Sequence, residues 1–259
     1  MQEKKNRNLK DRFAIATCCP SWKSIAEEFG VGIELDQFCQ AKNMDGELAT
    51  KLGAVIRKDL EQFRGMVLHA PFNELFPAAI DPKARELAME RYRQAADLAH
   101  AFGIKKMVVH SGWMPHVYFK EWHIPRSVEF WTELMADQPA DFELCIENVL
   151  DDEPDMMAAL AEGCADPRIG ICYDIGHANI VSPRDQDDWL QTLAPHLKHL
   201  HIHNNDGEKD FHRGLTDGNL DIARLLEGVI EKCAPDTTIT AEILADRESF
   251  LWLQEQGYL

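Results

Sequence analysis

The chain has 259 residues, 45% of them apolar and 27% charged. That is enough to bury a full core, and it fits either two ordinary domains or one α/β barrel. Lysine and arginine number 27 against 44 aspartates and glutamates, a formal charge of −17, so the surface repels a phosphate backbone and argues against DNA or RNA as a partner. The seven cysteines are an odd number without a C-x-x-C pair. They suggest neither a disulfide framework nor a zinc ribbon, and they point to a reducing compartment. No stretch approaches the roughly 18 apolar residues of a membrane span, and the N-terminus shows no apolar signal-peptide core. The cytoplasm is the expected location.

Residues 1–12 carry the basic run Lys4, Lys5, Arg7, Lys10 and Arg12 and read as a flexible solvated arm ahead of one domain over residues 13–259. From there, short runs rich in Val, Ile and Leu alternate with longer amphipathic ones. Strands are expected at 13–17, 31–35, 66–69, 106–110, 143–147, 169–174, 198–203 and 238–243. Between the second and third, Leu48, Leu52, Val55, Ile56, Leu60 and Phe63 keep the spacing of one helix face. So do Ala88, Tyr92, Ala95, Leu98, Ala99 and Phe102, in a helix opened by Asp81-Pro82, a cap followed by proline. Further helices are expected at 125–136, 154–162, 185–193, 221–232 and 247–256. Eight strands alternating with helices over about 250 residues predict a single (β/α)₈ TIM barrel. The alternative, an open doubly wound sheet, calls for a glycine-rich turn after an early strand, and none is present.

The polar residues fall at one end of these strands. The third ends in His69, the fourth in His110 and the fifth in Glu147. The sixth ends in Asp174 with His177 just beyond, the seventh in His203, the eighth in Glu242. Glu34 holds a similar place in the second, as a supporting residue or an ion-pair partner. Buried charge is costly unless paired or bound to metal, and in a barrel these strand ends face the active site. Period-two alternation turns Leu144, Ile146, Leu200, Ile202, Ile239 and Ala241 toward the helices. It turns Glu147, His203 and Glu242 inward at the mouth. His199 and His201 share that inward face but read as deeper, structural residues, and Glu143 belongs near the far end. Carboxylates and imidazoles converging on one rim form a mixed N/O set suited to Zn²⁺, Mn²⁺ or Co²⁺. After the seventh strand, Asp210 and His212 form a D-x-H pair in a glycine-containing loop, a further metal clamp.

The stretches HAPF, MVVHSG, CIEN, CYDIGHAN, HIHNNDGEKDFH and TAEI give the core a resemblance to the xylose-isomerase-like barrel superfamily. That group includes sugar-phosphate isomerases and epimerases, and apurinic endonucleases of the endonuclease-four type. The resemblance implies a principal metal site of Glu147, Asp174, His203 and Glu242. It also implies counterparts to the three-zinc cluster of the endonuclease branch, adding His69, His110, His177, Asp210 and His212, so one to three ions are expected. One departure stands out: where the family has Gly-x-Gly after the D-x-H loop, this chain has Thr216-Asp217-Gly218. The basic DNA-reading loops of the endonucleases are also not evident.

Two functions follow. The first is a metal-dependent isomerase or epimerase of a sugar, sugar phosphate or related small hydroxy-carbonyl compound, working by proton transfer through an enediolate. Glu147 and Glu242 are then the acid/base pair as well as ligands, and Asp174 and His203 are ligands only. The alternative is a multi-metal phosphoester hydrolase, for which His69, His110, Asp210 and His212 become necessary. Trp22, Phe72 and Trp113, near strand ends, are candidates to wall a sugar, with core packing the plainer alternative. Lys209 and Arg213 are candidates to hold an anionic group. The partner is a small-molecule substrate, and a homo-oligomer is left open.

Overall fold

In the computed structural model, residues 7–244 and 247–259 are described; the first six residues of the basic arm lie outside them. Eight parallel strands close into a barrel in chain order, with β8 pairing back onto β1. They are β1 (Phe13–Ala16), β2 (Gly32–Leu35), β3 (Gly65–His69), β4 (Lys106–His110), β5 (Glu143–Glu147), β6 (Ile169–Asp174), β7 (Leu197–Ile202) and β8 (Thr238–Ala241). Around them run α1 (Trp22–Phe29), α2 (Gly46–Leu60), α3 (Pro82–Ala101), α4 (Lys120–Ala136), α5 (Pro154–Cys164), α6 (Ile175–Val181), α7 (Gln186–Leu193), α8 (Ile222–Lys232) and α9 (Glu248–Glu255). The expected (β/α)₈ barrel is the observed one. Asp81 caps α3 by accepting from Lys83 N, with Pro82 next, as the cap-proline signal required.

Four details differ from the expectation. Residues 9–12 of the arm are docked: Leu9 is buried and donates its N–H to Tyr258 O, and Arg12 Nε donates to Thr237 O. An apolar residue that can join the large core outweighs the freedom of a charged tail. Helix α1 is an addition to the expected elements, although Trp22, Ile25, Ala26 and Phe29 form its buried face and Gly30, at φ 65°, supplies the left-handed stop. Helix α4 begins at Lys120 rather than at Pro125, which lies in its second turn and forfeits one intrahelical bond. The short α6 follows β6 directly.

Side chains alternate as the pleat dictates. Leu144 and Ile146 of β5, and Leu200 and Ile202 of β7, join the large core between strands and helices. Val67, Val108, Cys145 and Cys172 make a separate apolar layer inside the barrel. Two residues further along the same strands come His69, His110, Glu147 and Asp174. On β2, β7 and β8 the interior is polar instead: Glu34, His199, His201 and Thr240 are all buried. No helix among the described residues is long and apolar enough to cross a membrane.

Candidate metal centre

Glu147 is the hub of the mouth. Its Oε2 lies 3.1 Å from His69 Nε2 and 3.4 Å from His110 Nε2. Its Oε1 lies 3.2 Å from His201 Nδ1 and 3.4 Å from His177 Nδ1. Asp174 Oδ1 caps α6 by accepting from His177 N at 2.7 Å, and it sits 3.1 Å from His203 Nε2. The short helix thereby aims both Asp174 and His177. Asn148 holds Asp174 from the side, exchanging two hydrogen bonds with its backbone. Gly176 is required here, because a Cβ would lie 1.9 Å from the His203 ring.

The loop after β7 is tied down by Asn204. Its backbone pairs with Arg213 in both directions, and its side chain binds Leu215 O, Leu220 O and Leu220 N. Gly218, the retained glycine of the loop, leaves room for that side chain: a Cβ would come within 2.1 Å of Asn204 Oδ1. The loop presents Asp210, whose Oδ2 is 3.0 Å from His212 Nε2 and 3.3 Å from His177 Nε2.

Among the described residues the donor atoms fall into four groups, three at the mouth and one deeper, each with all its ligand atoms within 4.8 Å of one another. His69, His110 and Glu147 form the first. Glu147, Asp174, His201 and Glu242 form the second. His177, His203, Asp210 and His212 form the third. Three of the four residues expected as the principal site therefore share one group, but its imidazole is His201. His203 joins the outer group and touches the centre through Asp174. A fourth, deeper group of Cys172, His199 and His201 lies below.

Hydrogen bonding shows that this set fits a cation. His69 Nδ1 donates to Ala70 O at 2.9 Å, His177 Nδ1 to Asn148 O at 3.0 Å and His212 Nδ1 to Glu242 O at 2.8 Å. A carbonyl only accepts, so each ring carries a proton on Nδ1 and turns its Nε2 toward carboxylate oxygen. Such a contact repels unless a positive charge stands between, a proton or a metal ion. Buried Asp174 Oδ2 and Glu242 Oε2 make no hydrogen bond, although Glu242 Oε2 is 3.2 Å from His201 Nδ1.

The titration behaviour has the same origin. Burial alone would push Asp174 up, but His177 and His203 hold it down to about 2. Burial alone would push His212 down, but Asp210 and Glu242 raise it to about 9. His69 and His177 are raised well above the ordinary histidine value against burial, the first by Cys39 and Glu147, the second by Asp174 and Asp210. His110 goes the other way, to about 3, because burial dominates. Phe72 stacks on it at 4.2 Å and 9°.

The remaining candidates are placed as follows. Phe72 is at the site. Trp22 packs edge-on against Phe63 in the helical layer, and Trp113 against His123. Arg213 is engaged by Asp206 at 3.0 Å, and both Arg213 and Lys209 lie over Phe211. Sequence reasoning reads His201 as structural and Glu34 as a supporting residue or ion-pair partner, and it passes over Asn148. Period-two alternation already turns the first two inward. Asn148 follows Glu147 and carries no signal of its own.

Comparisons with known proteins bear on the fold and the family. The chain is 27% identical over 176 residues to an uncharacterized protein, MJ1311, of Methanocaldococcus jannaschii, a match covering 64% of this chain and 60% of that one. It thus spans less than two thirds of that relative's length. The TTHB071 protein from Thermus thermophilus, in a structure soaked with ZnCl₂, has a TM-score of 0.76 at 24% identity, over 95% of this chain and 97% of that one. A D-tagatose 3-epimerase-like protein has a TM-score of 0.74 at 22% identity, over 95% and 96%. At these identities the structural likeness speaks for the fold. The model of the xylose isomerase-like TIM barrel family matches residues 25–258, and the chain belongs to that family.

Proposed function

We propose that this protein is a divalent-metal-dependent isomerase or epimerase acting on a sugar, sugar phosphate or related small hydroxy-carbonyl compound. The observation that carries the reading is the central group. Glu147 and Glu242 reach one point from strands three places apart around the barrel, beside Asp174. Two carboxylates approaching one carbon from different directions meet the need to remove and return a proton beside a carbonyl. Glu147, Asp174, Glu242 and a β7 imidazole would hold zinc, manganese or cobalt. When bound, the cation supplies charge stabilisation for an enediolate.

The two carboxylates differ. Both oxygens of Glu147 face imidazoles, and its side chain is 1% exposed. Glu242 is 18% exposed at the mouth and has one oxygen without a hydrogen bond. Burial pushes Glu242 up, yet His201 and His212 pull it below the ordinary carboxylate value, so it stands ionised and ready to accept. In this reading Glu242 takes the proton, and Glu147, flanked by imidazoles, serves the other face. Phe72 on His110 closes one wall. The epimerase-like and zinc-soaked relatives support the reading.

One observation favours a second reading, a multi-metal phosphoester hydrolase. Among the described residues three of the donor groups lie together at the mouth, and the first and second share Glu147. Against it stands the pairing of Arg213 with Asp206, which leaves that guanidinium engaged.

The test is a panel of ketoses, sugar phosphates, inositol derivatives and abasic DNA with Mn²⁺, Zn²⁺ and Co²⁺, together with metal content per chain. Isomerisation with deuterium uptake from D₂O beside the carbonyl is expected. Glu242→Gln is expected to slow it about 10²–10⁴-fold, the usual worth of a general base. Turnover of abasic DNA alone, with two or three ions bound, overturns the first reading in favour of the second. Unchanged isomerisation in Glu242→Gln removes the proposed base.

A further inference from the structure

Among the described residues, the donor groups at the mouth draw on β3 to β8 and the loops behind them, and β1 and β2 supply none. That side of the mouth is built differently. Phe13 and Ile15 of β1 join the large outer core, which leaves Ala14 and Ala16 to face inward. Ala16 is in register with Glu34 of β2 on one side, and Ile15 with Ala241, the residue before Glu242, on the other. Short side chains on the strand between them leave room beside Glu242.

Asp36 borders that room. Leu35 joins the outer core and Glu34 is turned inward, so Asp36, two residues past Glu34, continues the inner face toward the mouth. It is half-buried, and Thr17 fixes it in place. The Thr17 hydroxyl donates to Asp36 Oδ1 at 2.5 Å and accepts from Asp36 N at 3.1 Å, while Thr17 N donates to Glu34 O at 3.0 Å. The chain offers the Asp36 carboxylate the Cys18 thiol as well, a weak donor. A carboxylate has about four acceptor sites, so this one is held rigidly with capacity for stronger donors from outside.

The basic residues of the loops at this end are engaged or exposed. Lys120 is held by Glu153 at 2.9 Å, Arg184 by Asp188 at 3.0 Å, Arg213 by Asp206 at 3.0 Å and Arg247 by Glu28 at 2.7 Å. Lys42 and Lys209 are exposed, where water and salt screen their charge. A phosphate beside Asp36 and Glu242 would meet like charge, whereas hydroxyl groups donate to those same oxygens.

We propose that Asp36 is a specificity-determining residue of this site, accepting a hydrogen bond from a substrate hydroxyl away from the reacting carbon, and that the substrate is an unphosphorylated polyhydroxy carbonyl compound. The inference rests on the isomerase reading above and narrows its substrate class.

The experiment uses the full, metal-loaded chain. Free sugars and sugar phosphates serve as substrates. Erythritol, xylitol and glucitol, with their terminal phosphates, serve as unreactive probes that carry the hydroxyls without the carbonyl. Calorimetry measures probe binding, and steady-state kinetics separates KM from kcat. The parent is expected to bind a free polyol about tenfold or more tightly than its phosphate. Asp36→Ala is expected to weaken polyol binding and raise KM about 10–100-fold, the worth of one hydrogen bond to a charged group, with a much smaller fall in kcat. Asp36→Asn keeps one acceptor oxygen and the shape, and it is expected to lie between Asp36→Ala and the parent. A parent that binds the phosphorylated probes more tightly overturns the proposal. So do variants with the parent's polyol affinity, and so does a loss confined to kcat. The parent's preference between free and phosphorylated probes decides the substrate class even if neither variant folds. A parent that turns over no carbonyl compound, free or phosphorylated, overturns the isomerase reading itself, a result distinct from turnover of sugar phosphates alone.

Discussion

The two ends of the barrel use charge in opposite ways. At the N-terminal end Glu143 accepts from Lys198 Nζ at 2.6 Å and lies 3.2 Å from Lys106 Nζ. Lys106 in turn donates to Lys198 O and Thr238 Oγ1. Each of these charges has a protein partner. At the C-terminal end Asp174 Oδ2, Glu242 Oε2 and His203 Nδ1 are buried without a hydrogen bond, and imidazole nitrogens crowd against carboxylates. The same strands supply both ends: β5 carries Glu143 and Glu147, and β7 carries Lys198 and His201. Charges completed within the chain hold the fold, whereas in the function proposed above the charges left incomplete are where a cation would bind.

The sharpest way to break this contrast is to supply or withdraw the missing partner. Zinc at about a thousandfold excess over its dissociation constant is expected to stabilise the protein by about 4 kcal/mol. Chelation should return the melting curve to that of the metal-free chain, and a curve indifferent to zinc would show that the mouth is already complete. The next largest effect lies at the other end. Lys106→Met removes a nearly buried partner of Glu143, and loss of one member of a buried pair costs about 3–5 kcal/mol. Because Lys198 still holds Glu143, the lower value, about 3 kcal/mol, is expected in denaturant melts. Zinc uptake measured on the same variant tests the separation of the two ends, because Thr238 Oγ1, which accepts from Lys106 Nζ, also reaches His199 and through it Glu34. A loss of zinc in Lys106→Met would mean that the two ends are not separable.

How far the sequence reveals this division depends on periodicity. Strand ends and alternation place His69, His110, Glu147 and Asp174 correctly on the inner face, because a pleat leaves a residue two choices and the apolar neighbours take the other. His203 and Glu242 lie one residue beyond the ends of β7 and β8, and there the chain's direction is set by loop contacts that alternation does not encode. His201 reads as structural because depth in a barrel looks the same in sequence for a brace and a ligand. Its partner Glu34 is 167 residues away, and only barrel closure brings them together. Residues 9–12 mislead because their charges suggest solvent while Leu9, among them, is buried in the core. Helix α1 is a plainer omission, since its apolar spacing and terminal Gly30 are both legible.

Asp151 sharpens the comparison, since it has an orphaned oxygen at the mouth end but belongs to none of the donor groups. It is fully buried. Its Oδ2 accepts from Ser111 Oγ at 2.8 Å and Val149 N at 2.9 Å, while Oδ1 has no partner. Burial raises its pKa to about 6, against the hydrogen bonds that lower it. A raised carboxyl pKa means that the folded chain binds the proton more tightly than the unfolded one. Stability is therefore lost as the pH climbs from about 4 through about 6, and stays lower above. Asp151→Asn cannot ionise, so its stability relative to the parent should improve by about 2 kcal/mol between pH 4.5 and pH 7.5. Denaturant melts at the two pH values measure the change. A constant gap would show that Asp151 ionises in the fold as freely as in the unfolded chain. The expected widening would show that a lone orphaned oxygen is answered by a proton, in contrast to the metal proposed where the orphaned oxygens of Asp174 and Glu242 converge beside Glu147.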